Sequence, residues 1–294
     1  MFTVTLLTDP SAPTLDATTV EALRNGWGGG AAKWLARGVA AEFDLPERPD
    51  NFWQIWEDMQ TRAIDVVIQP SDDRRRKMLL ADMDSTMIGQ ECIDELAAEA
   101  GVGEKVAGIT ARAMNGELDF DGALTERVGL LADLDEAVIA RVLAERITYT
   151  AGGDVLIATM RAQGGHAALV SGGFTAFTSH VAAHLGFDEH RANTLGIENG
   201  RLTGRVVLPI LGREAKIAAL HEITERLGLS PRDVIAVGDG ANDLGMLGIA
   251  GTGVALHAKP SVQKECDIRI NHGDLTALLY IQGYAADDFA APAR

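Results

Sequence analysis

The chain has 294 residues, 47% of them hydrophobic and 23% charged, and a formal net charge of −16. That composition is of an ordinary water-soluble globular protein with room for two domains and an inserted third, and only a short Ala-rich tail after Tyr284 looks of low complexity. The acidic excess argues against nucleic acid or an anionic membrane as partner, since both need a basic surface, and it requires local cations to hold any anionic substrate.

The first residues carry Asp9 and no basic cluster, unlike a secretory leader. Residues 2–7 (Phe-Thr-Val-Thr-Leu-Leu) predict a strand, 16–25 a helix, 39–43 a second strand, 51–62 a second helix, and 64–68 a third strand ending at Pro70. Such alternation predicts a small separate α/β or α+β domain over residues 1–75. Within it, Gly26-Trp27-Gly28-Gly29-Gly30 lacks the spacing of a phosphate or dinucleotide loop and reads as a plain loop. Asp72-Asp73-Arg74-Arg75-Arg76-Lys77 reads as a solvated linker.

Next comes Leu79-Leu80-Ala81-Asp82-Met83-Asp84-Ser85-Thr86, an apolar run that ends in two carboxylates. A strand's period of two puts Asp82 and Asp84 on one side, where they repel unless a proton or a cation lies between them. Mg²⁺, which prefers oxygen ligands, would resolve the conflict. A strand-to-helix turn with Asp84 or Ser85 as N-cap explains the same residues, and the two readings stay open on this stretch alone.

From Gln90 to Thr150 the pattern is helical, with candidate helices over 91–100, 104–115, 119–132 and 135–146. Positions 120, 124, 127 and 131 fall on one stripe of the third. Three are Phe120, Leu124 and Leu131; the fourth is Arg127, which must snorkel or meet an anion there. A guanidinium set against a phenylalanine suits a bidentate grip on a carboxylate. Glu91, in a first helical turn, is favoured by the macrodipole whatever its role.

After Gly152, helices at 155–163, 174–185 and 213–227 alternate with strands at 167–171 and 234–237, a hairpin turns at Asn199-Gly200, and short elements run on to 270. This predicts a doubly wound parallel sheet, the helical block being an insertion after its first strand. Ligands of such sheets bind at the carboxyl ends of the strands. Asp82 and Asp84, Ser171, and Asp239 mark three such ends. Val237-Gly238-Asp239-Gly240-Ala241-Asn242-Asp243 is a second acid-tipped strand, and with the first it makes an oxygen site for Mg²⁺. Leu169-Val170-Ser171-Gly172-Gly173 offers a hydroxyl and free N–H groups just before a helix, an anion pocket by geometry. Lys216 alone reads as a surface lysine. Cys92 and Cys266 have neither metal-ligand nor redox spacing, and a reducing cytoplasm is the simplest expectation. No apolar stretch approaches the length of a membrane span.

The order Asp82-x-Asp84-x-Thr86, Ser171-Gly172, Lys216 and Gly238-Asp239-Gly240-x-Asn242-Asp243 resembles the haloacid dehalogenase-like phosphatases over roughly residues 78–270. Glu91, Met114, Phe120 and Arg127 stand where the phosphoserine phosphatases of that superfamily keep their substrate-recognition residues. The resemblance implies a haloacid dehalogenase-like Rossmannoid core at 76–90 and 150–294, with a helical cap at 91–149. Residues 1–75 lie outside it and look like the extra domain of many bacterial members, here short for an amino-acid-sensing module.

The implied activity is Mg²⁺-dependent hydrolysis of O-phospho-L-serine to serine and phosphate, the last step of serine biosynthesis, by a cytoplasmic monomer or homodimer. Asp82 would become the aspartyl-phosphate. Asp84 would protonate the leaving oxygen and then activate water. The metal would be held by Asp82, the Asp84 carbonyl and Asp239, with Asp243 supporting it from behind. Ser171, Gly172 and Lys216 would stabilise the phosphoryl oxygens, and Asn242 would orient the phosphate. Arg127 and Glu91 would recognise the zwitterionic end, and Met114 and Phe120 would close the pocket. The alternatives are a phosphotransferase that passes the group to an alcohol such as homoserine, and a regulatory binding protein without turnover.

Overall fold

A computed structural model describes residues 1–114 and 117–292, the side chains of Ala113 and Met114 excepted. The N-terminal strands are Phe2–Leu7 (β1), Lys33–Ala36 (β2), Ala40–Leu45 (β3) and Asp65–Pro70 (β4), with helices Ala17–Gly26 (α1) and Phe52–Gln60 (α2) between them. They form an antiparallel sheet in the order β2-β3-β1-β4. Val4 and Leu6 pack with Val20, Leu23, Phe52 and Met59 of the two helices. Side chains alternate along a strand, so Thr3, Thr5 and Leu7 turn to the other face. That face is buried too, because Leu7, Leu35, Val39, Ala40 and Val67 belong to the core of the following residues. The four-residue β2 went unread because Lys33-Trp34-Leu35-Ala36 is too short for a period.

Met78–Ala81 (β5) sets the middle of the second sheet. Met78 and Leu80 enter one apolar cluster and Leu79 and Ala81 another, so helices must cover both faces. The other strands are His166–Phe174 (β6), Glu189–Glu198 (β7), Arg201–Val207 (β8), Val234–Gly238 (β9), Thr252–Leu256 (β10) and Ile268–Ile270 (β11). The order is β11-β10-β9-β5-β6-β7-β8, parallel except for the β7–β8 hairpin. Its turn residues, Asn199 and Gly200, have φ of 51° and 75°, the left-handed pair that a tight hairpin needs.

Between β5 and β6 run Cys92–Glu99 (α3), Gly103–Met114 (α4), Phe120–Gly129 (α5), Ala137–Glu145 (α6) and Gly153–Ala162 (α7). Thr175–Leu185 (α8), Arg213–Leu227 (α9), Leu244–Ile249 (α10), Pro260–Lys264 (α11) and Ala277–Tyr280 (α12) follow. The hairpin does more than edge the sheet. Asp133 N–H donates to Leu202 O, Leu202 N–H to Leu134 O and Glu136 N–H to Gly200 O, each at 2.9 Å, which ties the α5–α6 loop of the insertion to the core.

Two expectations need correction. Residues 72–77 are not a plain solvated linker. Arg74 donates to Glu42 Oε2 (2.9 Å) and Ile281 O (3.3 Å), Arg75 lies 4.1 Å over the Tyr284 ring, and Arg76 donates to Arg232 O (2.7 Å), Gly251 O (3.0 Å) and Thr252 Oγ1 (2.9 Å). Guanidinium forks suit such carbonyl clusters, and charge pattern alone does not reveal them. The tail after Tyr284 is also docked, with Phe289 on the Tyr280 ring and Ala290 N–H donating to Thr159 Oγ1 at 2.9 Å. Among the described residues no helix is long and apolar enough to cross a membrane.

One buried carboxylate joins the two sheets. Asp65, fully buried at the start of β4, accepts the N–H groups of Asn271 (2.9 Å), His272 (2.9 Å) and Gly273 (2.8 Å). Asp65→Ala leaves these donors without their acceptor and should cost about 2–4 kcal/mol. Trp27, Trp34, Trp53 and Trp56 are the chain's four tryptophans, so urea unfolding followed by tryptophan fluorescence reads the loss on the N-terminal sheet. A variant with an unchanged midpoint would show that these bonds contribute nothing net.

Candidate active site

β5 and β9 are adjacent and parallel, and Asp82 N–H extends their ladder to Val237 O at 3.0 Å. Asp82 and Asp239 thus emerge side by side at the carboxyl ends of two strands. Asp243 closes the group from the next turn, and one carboxylate oxygen from each lies within 4.8 Å of the others. All three are buried. Lys216 of α9 is buried beneath them at 1% exposure, so it is not a surface lysine. Its Nζ donates to Asp243 Oδ1 at 2.6 Å and forms an ion pair with Asp82 Oδ1 at 2.7 Å. Asp243 Oδ2 accepts the Gly240 N–H at 2.9 Å, and Thr86 Oγ1 donates to Asp239 Oδ1 at 3.4 Å.

The electrostatics record too many buried acids for one lysine. Burial and the neighbouring Asp243 push the Asp82 carboxyl well above its usual range, and Lys216 offsets this only in part. Burial, then Asp243, raises Asp239 to about 6. Burial opposes the charge on Lys216, but Asp82 and Asp243 outweigh it and hold the ammonium on. A crowded all-oxygen donor set, with three buried carboxylates against one lysine, fits a hard divalent cation.

Asp84 shares the cavity with Asp82, while Met83 between them is buried in the core. The turn beyond reverses sharply: Thr86, Met87 and Ile88 N–H all point to Met83 O, and Ser85 is left-handed at φ 54°. Asp84 Oδ1 accepts the Cys92 N–H at 3.1 Å, at the start of α3. Burial, then the Glu91 carboxylate, raises it to about 7.

The cavity measures about 840 Å³, and its wall includes Asp82, Asp84, Asp239, Arg127, Ser171 and Asn242. Glu91, Phe120 and Gly172 also line it. Lys216 lies behind the wall, and Met114 ends α4 with a side chain outside the described residues. Phe120 reaches from α5 across the core: a Cβ added to Gly172 or Gly212 would meet its ring at 3.1 Å. Arg127 is half-buried, Nε donating to Ala123 O at 3.2 Å. Glu91 precedes α3, and its Oε1 accepts from Ser85 Oγ at 2.8 Å.

The anion pocket at Ser171 differs in part from expectation. β6 runs on to Phe174 with a break in register between Val170 and Phe174, and α8 begins only at Thr175. Ser171 Oγ accepts the Gly173 N–H at 2.9 Å, so that donor is already engaged. The pocket therefore lies just before α8, as expected, but in an irregular strand end with one of its N–H donors already taken. Asn193 holds it: its Nδ2 donates to Gly172 O (2.8 Å) and Leu211 O (3.1 Å), and its Oδ1 accepts from Leu211 N–H (2.7 Å). Neither Asn193 nor the cavity residues Asp94, Arg213 and Lys259 emerged from the sequence. Lys259 had a usable signal, a cation just beyond the carboxyl end of β10.

A model of the haloacid dehalogenase-like hydrolases matches residues 79–248, more than half of the chain. The chain belongs to that family. It is similar to the phosphoserine phosphatase of Haemophilus influenzae, 46% identical over 202 residues, which are 69% of this chain and 64% of that one. In structure it resembles a haloacid dehalogenase family hydrolase from Salmonella enterica serovar Typhi (TM-score 0.86, 30% identity, 97% and 99% of the two chains). It also resembles a probable phosphoserine phosphatase from Vibrio cholerae (TM-score 0.79, 30% identity, 98% and 88%). The chain spans under two thirds of the length of the Archaeoglobus, Haemophilus and Streptomyces phosphatases it matches.

The raised Asp84 has a consequence for the metal-free hydrolase fold. An acid whose native pKa is about 7, against an ordinary 3.8, binds its proton more tightly folded than unfolded. Its contribution is favourable at low pH and is lost as pH rises from about 4 to about 7. Asp84→Asn should therefore raise the melting temperature in chelator at pH 7.5 and leave it nearly unchanged at pH 4. Equal shifts at both pH values would show that Asp84 is not held protonated by its surroundings.

Proposed function

We propose that the chain hydrolyses O-phospho-L-serine to serine and phosphate, as the final step of serine biosynthesis. The observation that carries this reading is one cavity with two unlike ends. Its floor holds Asp82, Asp84 and Asp239, the equipment for a phosphoryl group, and its roof from the insertion holds Arg127 and Glu91, one cation and one anion. A phosphorylated amino acid presents the complementary set: phosphate, carboxylate and ammonium. The similarity to proteins named phosphoserine phosphatase supports the same substrate.

Asp82 is the nucleophile. It is paired with Lys216 and lines the cavity, and it forms an aspartyl-phosphate as the P–O bond to serine breaks. Asp84, poised near neutrality, gives its proton to the leaving serine oxygen and then takes one from the water that cleaves the intermediate. Ser171, the Gly172 N–H and Lys216 stabilise the equatorial oxygens, and Asn242 orients the group. Asp82, the Asp84 main-chain carbonyl and Asp239 would hold Mg²⁺, with Asp243 fixing Lys216 and the Gly240 turn behind them. When bound, Mg²⁺ supplies charge neutralisation for the phosphoryl oxygens.

Residues 1–75 then serve as an accessory domain, 76–90 and 150–294 as the catalytic core, and 91–149 as the lid. The lid brings Phe120 over Gly172 to keep water from the reacting group.

Phosphate release measured with Mg²⁺ across small phosphomonoesters, with and without added alcohols, tests the assignment. Phosphoserine should lead, and alcohols should not divert the phosphoryl group. Arg127→Ala should lower kcat/KM for phosphoserine by roughly 10- to 200-fold, the value of one charge-assisted bond, and change an aryl phosphate far less. Equal loss on both would place Arg127 in the scaffold rather than on the carboxylate.

A further inference from the structure

Carboxylates outnumber cations around this cavity: Glu91 and Asp94 on the insertion face Asp82, Asp84 and Asp239 on the core. A phosphate dianion entering it needs a cation that is not already committed, and Lys216 is engaged with Asp82 and Asp243. Lys259 meets that need. It lines the cavity at the end of the loop after β10, it is exposed, and its ammonium has no ion pair or hydrogen bond among the described residues. It shares the cavity wall with Asp239 on the floor and Asp94 on the roof, and its charge is felt by both.

The backbone beneath this lysine is held unusually well for an exposed loop. Lys259 N–H points to Asp239 O at 3.4 Å. His257, left-handed at φ 46°, donates its own N–H to Ile270 O at 2.7 Å and its Nε2–H to Gly273 O at 2.9 Å. Gly273 is in turn fixed by Asp65, through the carboxylate that gathers the 271–273 N–H groups. Hydrogen bonds from Asp65 through Gly273 to His257, continued by the main chain from His257 to Lys259, thus link β4 of the N-terminal sheet to the cavity.

We infer that Lys259 is a further phosphate-binding residue, and that His257 and Asp65 are positioning residues through which the N-terminal domain fixes it. The inference rests on the phosphatase reading, and it gives residues 1–75 a part in catalysis that needs no effector. With its main chain anchored on Asp239, Lys259 would act at the phosphoryl end, so its loss should affect every phosphomonoester alike. In this it differs from Arg127.

The test compares Lys259→Gln, Lys259→Arg and His257→Leu, all at exposed side chains, with the unmutated Mg²⁺-loaded protein. Calorimetry gives the affinity for inorganic phosphate, and kcat/KM is measured for phosphoserine and an aryl phosphate at low and high salt. Lys259→Gln should weaken phosphate binding about 10-fold, as loss of one charge-assisted contact does. It should lower kcat/KM similarly on both esters and flatten the salt dependence, and Lys259→Arg should restore most of each. His257→Leu should give a smaller loss of the same pattern and add nothing in the Lys259→Gln background. Unchanged phosphate affinity in Lys259→Gln, or a loss confined to phosphoserine, would overturn the role of Lys259. A His257→Leu loss that adds in full would overturn the positioning role. Because inorganic phosphate is the probe, a wild-type protein that binds it but ignores phosphoserine would sink the substrate assignment and leave this comparison standing. A wild-type protein that binds no phosphate would sink both.

Discussion

A single lysine ammonium between two buried carboxylates is the contact on which the site depends. Lys216 reaches both from α9 on one face of the sheet; Asp82 follows β5, and Asp243 lies in the turn beyond the adjacent β9. Buried charges of one sign persist only when opposed. With Asp82, Asp239 and Asp243 gathered within 4.8 Å, the lysine offsets part of the repulsion and leaves the rest to a cation and to the reaction. The proposed reaction would use this imbalance, with Asp82 as the nucleophile and Asp84 near the pKa that proton transfer at neutral pH requires.

The surrounding structure serves to hold this group while closing space above it. The insertion leaves the core directly after Asp84, so the turn through Ser85 sets both the acid's direction and the path of α3. Its far side is tied back by the β7–β8 hairpin, and Phe120 rests on the two glycines, Gly172 and Gly212, that admit its ring. From the opposite edge the N-terminal sheet grips the 271–273 loop through Asp65. Roof and floor are thereby set at a fixed spacing around a cavity of about 840 Å³, large enough for a phosphorylated amino acid.

Much of this was legible in the residue order, and the part that was not has a common cause. The acid-tipped strands, Phe120, Leu124 and Arg127 on one helix and the Asn199-Gly200 turn are local patterns and are found as read, though β5 ends before Asp82 and α5 before Leu131. Lys216 was local too, but its burial depends on α9 packing under β5 and β9, which no helical period reports. Arg74 and Arg76 read as surface charge, and Asp65 as one more strand residue, because their partners lie 32 to 208 positions away; Asp65, for instance, meets Asn271 across 206 residues. At Ser171 the helix start was legible, but the engaged Gly173 N–H and the break in register were not, since the latter depends on how β6 meets β7. Asn193 carries no motif, since its function is to bond two main-chain segments that meet only in the fold.

The claim that the remaining charge on Asp82 serves covalent catalysis can be tested directly. The protein is acid-quenched during steady-state turnover of phosphoserine with Mg²⁺, and its peptides are mapped by mass spectrometry. The account predicts a phosphoryl group on Asp82 alone, present only with substrate, and neither label nor turnover in Asp82→Asn. A label on another residue, or substantial turnover by Asp82→Asn, would contradict it.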